Sequence, residues 1–167
     1  MKNIVFINGT MGVGKTATSR ELQRLLPRCA FLDGDWCWDA SPFIVTYESK
    51  KMVEDNIRYI LNNFLKCSDY ENIIFCWVMH EQYIIESILS GINLQDAILH
   101  KISLICSKQS LVERLSKDVD NGIRTIDVIE RSVSRLNNYT LMDTIKLDVS
   151  NIDAKQASLQ IANYILG

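Results

Sequence analysis

Residues Gly9-Thr10-Met11-Gly12-Val13-Gly14-Lys15-Thr16 follow the apolar run Ile4-Val5-Phe6-Ile7 and precede Leu22, Leu25 and Leu26, which recur at helical spacing before Pro27. A strand, a glycine-rich turn and a helix in that order leave few folds open. The spacing G-x-x-x-x-G-K-T belongs to a loop whose backbone N–H groups turn inward around an anion. Gly9, Gly12 and Gly14 supply conformations barred to other residues, and Val13 lies within the same cradle. The helix that opens at the loop adds its N-terminal dipole. In such a loop Lys15 reaches the β and γ phosphates of a nucleoside triphosphate. The Thr16 hydroxyl ligates Mg²⁺, which accepts few protein oxygens and keeps several waters. ATP and Mg²⁺ are therefore the expected ligands.

The rest of the chain alternates. Strand patterns cover 4–8, 29–33, 73–78, 101–106 and 144–148, and helical patterns cover 15–26, 49–66, 80–90, 108–117, 125–139 and 153–166. Most strand candidates are unbroken apolar runs, as a parallel sheet covered on both faces requires. The alternation predicts an α/β fold: a three-layer, open, doubly wound sheet of about five parallel strands with right-handed crossovers. At 167 residues and 47% hydrophobic, the chain suits one domain spanning 1–167. Two loops, 39–47 and 118–124, interrupt the rhythm next to the carboxyl edge of the sheet. Ligands of such sheets lie at that edge, so both loops are candidate covers.

Composition excludes several roles. The net charge of −2, from 18 basic and 20 acidic residues, offers no field for nucleic acid or an anionic membrane. The apolar run 73–79 is too short to span a bilayer, and 4–7 is too short for a signal-peptide core, so a cytoplasmic protein is expected, as monomer or homodimer. Five cysteines without C-x-x-C, and only two histidines, give no zinc spacing. The cysteines read as reduced core residues. No D-x-x-G follows the loop and no N-K-x-D reads guanine, which favours ATP over GTP.

A second constellation closes the second strand pattern. Phe31-Leu32-Asp33-Gly34-Asp35 places two carboxylates two residues apart at the ligand edge. Phosphoryl transfer needs an acceptor hydroxyl held in line, its proton accepted, and phosphate charge neutralised. Asp35 is the candidate for the first two tasks, and Asp33 for holding Mg²⁺ through water. Trp36 and Trp38 lie just beyond, and Trp77 ends the third strand pattern. Lining one pocket, the three tryptophans would favour a ring-bearing small-molecule acceptor such as a nucleoside, sugar or antibiotic. His80 stands at the same edge as a further acceptor contact, whereas His100 reads as structural. Arg131 and Arg135 share a helix pattern with Asp127 and Glu130 and read as solvated ion pairs.

The Gly9–Thr16 loop, Leu32-Asp33-Gly34-Asp35, Leu111-Val112-Glu113-Arg114-Leu115 and Leu147-Asp148-Val149-Ser150 together resemble the P-loop small-molecule kinases, including adenylylsulfate, gluconate, shikimate and nucleoside monophosphate kinases and chloramphenicol phosphotransferase. The resemblance implies a P-loop NTPase, nucleotide-kinase-like fold. It implies ATP and Mg²⁺ at Lys15 and Thr16, and metal and acceptor at Asp33 and Asp35. It also implies that Arg114 packs on the adenine face, that 148–151 lies along the adenine edge, and that Arg124 is a lid arginine swinging onto the phosphates. The acceptor-binding segment would be about 36–66 and the lid about 114–135. Two departures stand out: Asp118 where many relatives carry a second lid arginine, and Trp36-Cys37-Trp38 where the adenylylsulfate and gluconate kinases carry their own acceptor residues. The activity implied is transfer of the γ-phosphoryl group of ATP to a small-molecule hydroxyl or phosphate. The competing reading is an ATP-binding switch or sequestering module with little transfer.

Overall fold

The computed structural model describes residues 1–94 and 96–167. Five strands, β1 (Asn3–Asn8), β2 (Cys29–Asp33), β3 (Asn72–Cys76), β4 (Ile98–Ile105) and β5 (Ile145–Asp148), form one sheet in the order β2-β3-β1-β4-β5, every pairing parallel. The helices are α1 (Lys15–Leu25), α2 (Tyr47–Lys66), α3 (Gln82–Ser90), α4 (Lys108–Asp120), α5 (Asp127–Ser134), α6 (Leu136–Leu141) and α7 (Ala154–Leu166).

The unbroken apolar runs divide cleanly between two faces, because successive strand side chains point to opposite sides. Val5, Ile7 and Ile74 pack with Leu22 of α1 and with Ala157 and Ile161 of α7. Ile4, Phe6, Ile73 and Phe75 pack with Val53, Ile57 and Leu61 of α2 and with Ile84, Ile85 and Ile88 of α3. The result is the three-layer, doubly wound architecture that the alternation predicts. β1 sits between β3 and β4, where connections leave in opposite directions, so the loop after it lies at the topological switch point.

Several boundaries differ from the sequence reading, each for a local reason. α2 starts two residues early because Thr46 caps it: Thr46 Oγ1 accepts from the Ser49 N–H at 3.1 Å, and Ser49 Oγ accepts from the Thr46 N–H at 2.8 Å. β4 starts three residues early, since Ile98 pairs with Asn3 at the very start of β1. α4 runs three residues longer and stops at Asn121-Gly122, where Gly122 takes φ 69°. The single helix expected over 125–139 is two, broken at Arg135. Val128 of α5 packs on Leu111 and Leu115 of α4, whereas Tyr139 of α6 is buried in the cluster beneath the sheet. One straight helix cannot serve both clusters. Among the described residues, no helix is long and apolar enough to cross a membrane.

Candidate active site

The loop after β1 has the form its glycines allow. Gly12 holds φ 82°, and a Cβ there would fall 2.4 Å from Leu115 Cδ2, so the loop lies directly on α4. Gly14 caps α1 at φ 106°, a left-handed conformation that glycine adopts freely, and no side chain caps the first N–H groups of the helix. Two buried polar residues hold the loop from behind. Asn8 donates to the Met79 carbonyl at 3.2 Å and accepts from Ser103 Oγ at 2.5 Å, and Thr10 Oγ1 donates to the Ser132 carbonyl at 2.8 Å.

Lys15, Thr16, Asp33, Asp35, Trp77 and Arg124 surround one cavity of about 210 Å³ at this loop. Lys15 Nζ donates to the Thr10 carbonyl at 3.0 Å. Burial lowers its pKa to about 8, against the opposing pull of Cys76, Asp35 and Asp33. Thr16 Oγ1 donates to Asp33 Oδ2 at 2.7 Å, and the other Asp33 oxygen accepts from the Asp35 N–H at 3.1 Å. Trp77 Nε1 donates to Asp35 Oδ1 at 3.1 Å. Burial, then repulsion from Asp33, raises the Asp35 carboxyl above the usual range, and Lys15, the Trp77 bond and Arg124 partly offset this. Arg124 donates through Nε to Asp118 Oδ2 at 3.1 Å, and both residues border the cavity.

A hydroxyl and a carboxylate 2.7 Å apart beside an anion-holding loop are oxygen donors suited to Mg²⁺. Among the described residues, no group of three His, Cys, Asp or Glu is arranged to hold a metal.

Arg114 stands at a second cavity of about 410 Å³, formed with Val13, Gly14, Val149 and Ser150. Its Nη1 donates to the Val13 carbonyl at 3.0 Å and its Nη2 to the Val149 carbonyl. It thereby ties the phosphate loop to the segment after β5. Ser150 is fixed in turn, donating through N–H and Oγ to Asp148 Oδ1 at 2.8 and 2.6 Å. The two cavities meet at Gly14, which lines both.

The three tryptophans do not share a pocket. Trp36 is 52% exposed and stacks edge-on against Phe31 on the α1 side, beneath the Arg20 guanidinium. Trp38 turns to the α2 side and packs on Phe43, with ring centroids 4.9 Å apart. Only Trp77 lines the phosphate cavity. The cause is the short 3-10 turn at Gly34–Trp38, in which residues two apart diverge by about 120° instead of sharing a face as they would along a strand. His80 also lies outside that lining. Its Nε2 is 3.5 Å from Glu81, and burial with Arg135 nearby lowers its pKa. His100 is structural, with Nε2 3.1 Å from Asn3 Oδ1. Arg131 pairs with Asp127 at 3.5 Å, but among the described residues Arg135 pairs with no carboxylate. Cys37 and Cys76 are buried, whereas Cys29, Cys67 and Cys106 are only partly so, and all five are free thiols. The expectation of core cysteines holds for Cys37 and Cys76, while Cys29 and Cys106 pack against the core's margin and Cys67 lies outside it.

Gly34 is a site residue that the sequence reading did not single out. A Cβ on it would sit 2.4 Å from the Trp77 ring, so the absent side chain is what lets the indole reach Asp35. Gly34→Ala is expected to displace Trp77 and cost about 1–3 kcal/mol of stability, as overpacking does, together with most of any turnover. Indole fluorescence, thermal unfolding and the phosphoryl-transfer assay measure the three effects, and an unshifted spectrum would contradict the assignment.

Comparison with known proteins bears on this geometry. Residues 5–135 match a family model described as an AAA domain. A search of curated proteins returned no match. Among solved structures, the chain is similar to the tunicamycin resistance protein of Deinococcus radiodurans (21% identity, 99% of this chain and 96% of that one, TM-score 0.68). It is also similar to a gluconokinase from Sinorhizobium meliloti (15%, 99% and 95%, 0.65). A shikimate kinase from Acinetobacter baumannii, solved with shikimate, aligns at 17% identity over 99% and 94% of the chains, with TM-score 0.65. The fold is therefore that of the P-loop kinases.

Proposed function

Because this chain belongs to the AAA domain family, we propose that it is an ATP-dependent phosphotransferase moving the γ-phosphoryl group to a hydroxyl of a small molecule. The observation that carries this reading is Asp35: a carboxylate held by Trp77 faces the same cavity as Lys15, Thr16 and Arg124. A nucleotide-holding module has no use for a base there.

The nucleotide lies across Gly14, its base in the cavity of Arg114, Val149 and Ser150 and its phosphates in the glycine cradle. Thr16 and Asp33 would hold Mg²⁺, Asp33 through water, and the ion would supply charge neutralisation when bound. Lys15 donates to the β and γ oxygens. Asp35 orients the acceptor hydroxyl and accepts its proton as the oxygen bonds to the γ phosphorus and the bridging P–O bond to ADP breaks. Its raised pKa makes it a stronger base than an ordinary carboxylate, and the neighbouring Lys15 and Arg124 keep it within reach of ionisation. Segment 36–66 would bind the acceptor, a ring-bearing compound against Trp77, and 114–135 would close as the lid.

The test is transfer from γ-labelled ATP into a panel of nucleosides, sugars and aminoglycoside, phenicol and nucleoside antibiotics, with Asp35→Asn as control. Label in an acceptor that the control does not produce supports the proposal. ATP binding with no labelled acceptor across the panel favours the switch or sequestering module.

A further inference from the structure

We propose that Asp118 is a positioning residue that aims the free fork of Arg124 at the transferring phosphoryl group. This deepens the phosphotransfer reading above and rests on it. At first sight an acid in the lid weakens it, because a carboxylate beside the phosphate cavity repels phosphate and neutralises the arginine it pairs with. The geometry points the other way. Arg124 spends only its Nε on Asp118, at 3.1 Å, and among the described residues no acceptor meets Nη1 or Nη2. Those two nitrogens form the edge of the guanidinium that matches phosphate oxygens, and both residues line the cavity that holds Lys15 and Thr16.

The backbone is built for the same purpose. The Asp118 carbonyl accepts from the Ile123 N–H at 2.8 Å and from the Arg124 N–H at 3.3 Å, while Gly122, at φ 69°, donates to Val119 at 2.9 Å. The turn from Asp118 to Arg124 is thus closed on itself at the end of α4. One residue fixes the position of Arg124 through its carbonyl and the direction of its guanidinium through its carboxylate. An arginine on an open seven-residue turn would sample many rotamers and give up more entropy on meeting phosphate. Asp118 settles part of that ordering before the nucleotide arrives.

The test uses equilibrium binding of ADP with Mg²⁺, in the presence and absence of aluminium fluoride, which mimics the phosphoryl group in transfer. It needs no acceptor and no turnover. Wild type should bind ADP more tightly with fluoroaluminate present. Asp118→Ala is expected to lose about tenfold of that fluoroaluminate-dependent affinity, the scale of one orienting hydrogen bond, with ADP affinity unchanged within about twofold. Asp118→Asn, which still offers an oxygen to Nε, should recover most of the loss. In an Arg124→Ala background, Asp118→Ala should add nothing. Tighter fluoroaluminate binding by Asp118→Ala and Asp118→Asn would make Asp118 a competitor for Arg124 and overturn the proposal. Additive losses in the double variant would do the same. A wild type indifferent to fluoroaluminate would sink the phosphotransfer reading and this one with it, whereas an unproductive acceptor panel alone would leave this result standing. Melting temperatures of all variants separate positioning from unfolding.

Discussion

Replacing Lys15 with alanine is expected to lower phosphoryl transfer by about 10³-fold or more and to weaken ATP binding at the same time. The ammonium is half-buried against its own loop, where it donates to the Thr10 carbonyl and a charge acts through less solvent than at the open surface. Its loss also leaves Asp33 and Asp35 facing the incoming phosphates with Arg124 as the remaining cation of the cavity lining. The variant should fold as well as wild type. Desolvation on folding disfavours the charged lysine and holds its pKa down to about 8, so removing it relieves that cost. Calorimetric ATP titration, turnover and melting temperature together check this. Unchanged ATP affinity would show that the phosphates sit elsewhere.

Asp35→Asn isolates a different step. Asparagine keeps an oxygen for Trp77 Nε1 and nearly the same volume, so the pocket and the nucleotide cradle should persist. What disappears is the proton acceptor. Transfer to any hydroxyl is expected to fall by about 10²–10⁴-fold, the usual contribution of a positioned general base, while ATP affinity changes little. Single-turnover kinetics with saturating labelled ATP measure the chemical step directly. Full transfer by this variant would assign the base to another residue.

The contrast between what could and could not be read from residue order has a physical pattern. The phosphate loop, β2 and the parallel sheet were legible because each rests on local signals: glycine spacing, unbroken apolar runs, and a strand that ends in Asp33. Burial on both faces makes such runs hard to mistake. The directions of Trp36 and Trp38 were not legible, since a five-residue 3-10 turn decides them and its pitch leaves no periodic mark. The role of Gly34 was hidden for another reason. Its close neighbour, Trp77, is 43 positions away, and nothing near Gly34 announces that contact. The break between α5 and α6 likewise comes from two packing partners distant in the chain, Leu111 for one and the sheet cluster for the other. Asp118 shows the same limit: its identity looks like a loss of positive charge until its partner and the closed turn are seen together.

The meeting of two separate hollows at Gly14 has an evolutionary consequence. On the proposed reading, whatever distinguishes one nucleotide base from another is written around Arg114 and residues 149–153, whereas whatever distinguishes one acceptor from another is written around Gly34, Asp35 and Trp77. Drift in either stretch leaves the other intact. On that reading, a lineage built on this frame could exchange one acceptor for another without rebuilding the hollow that takes the nucleotide.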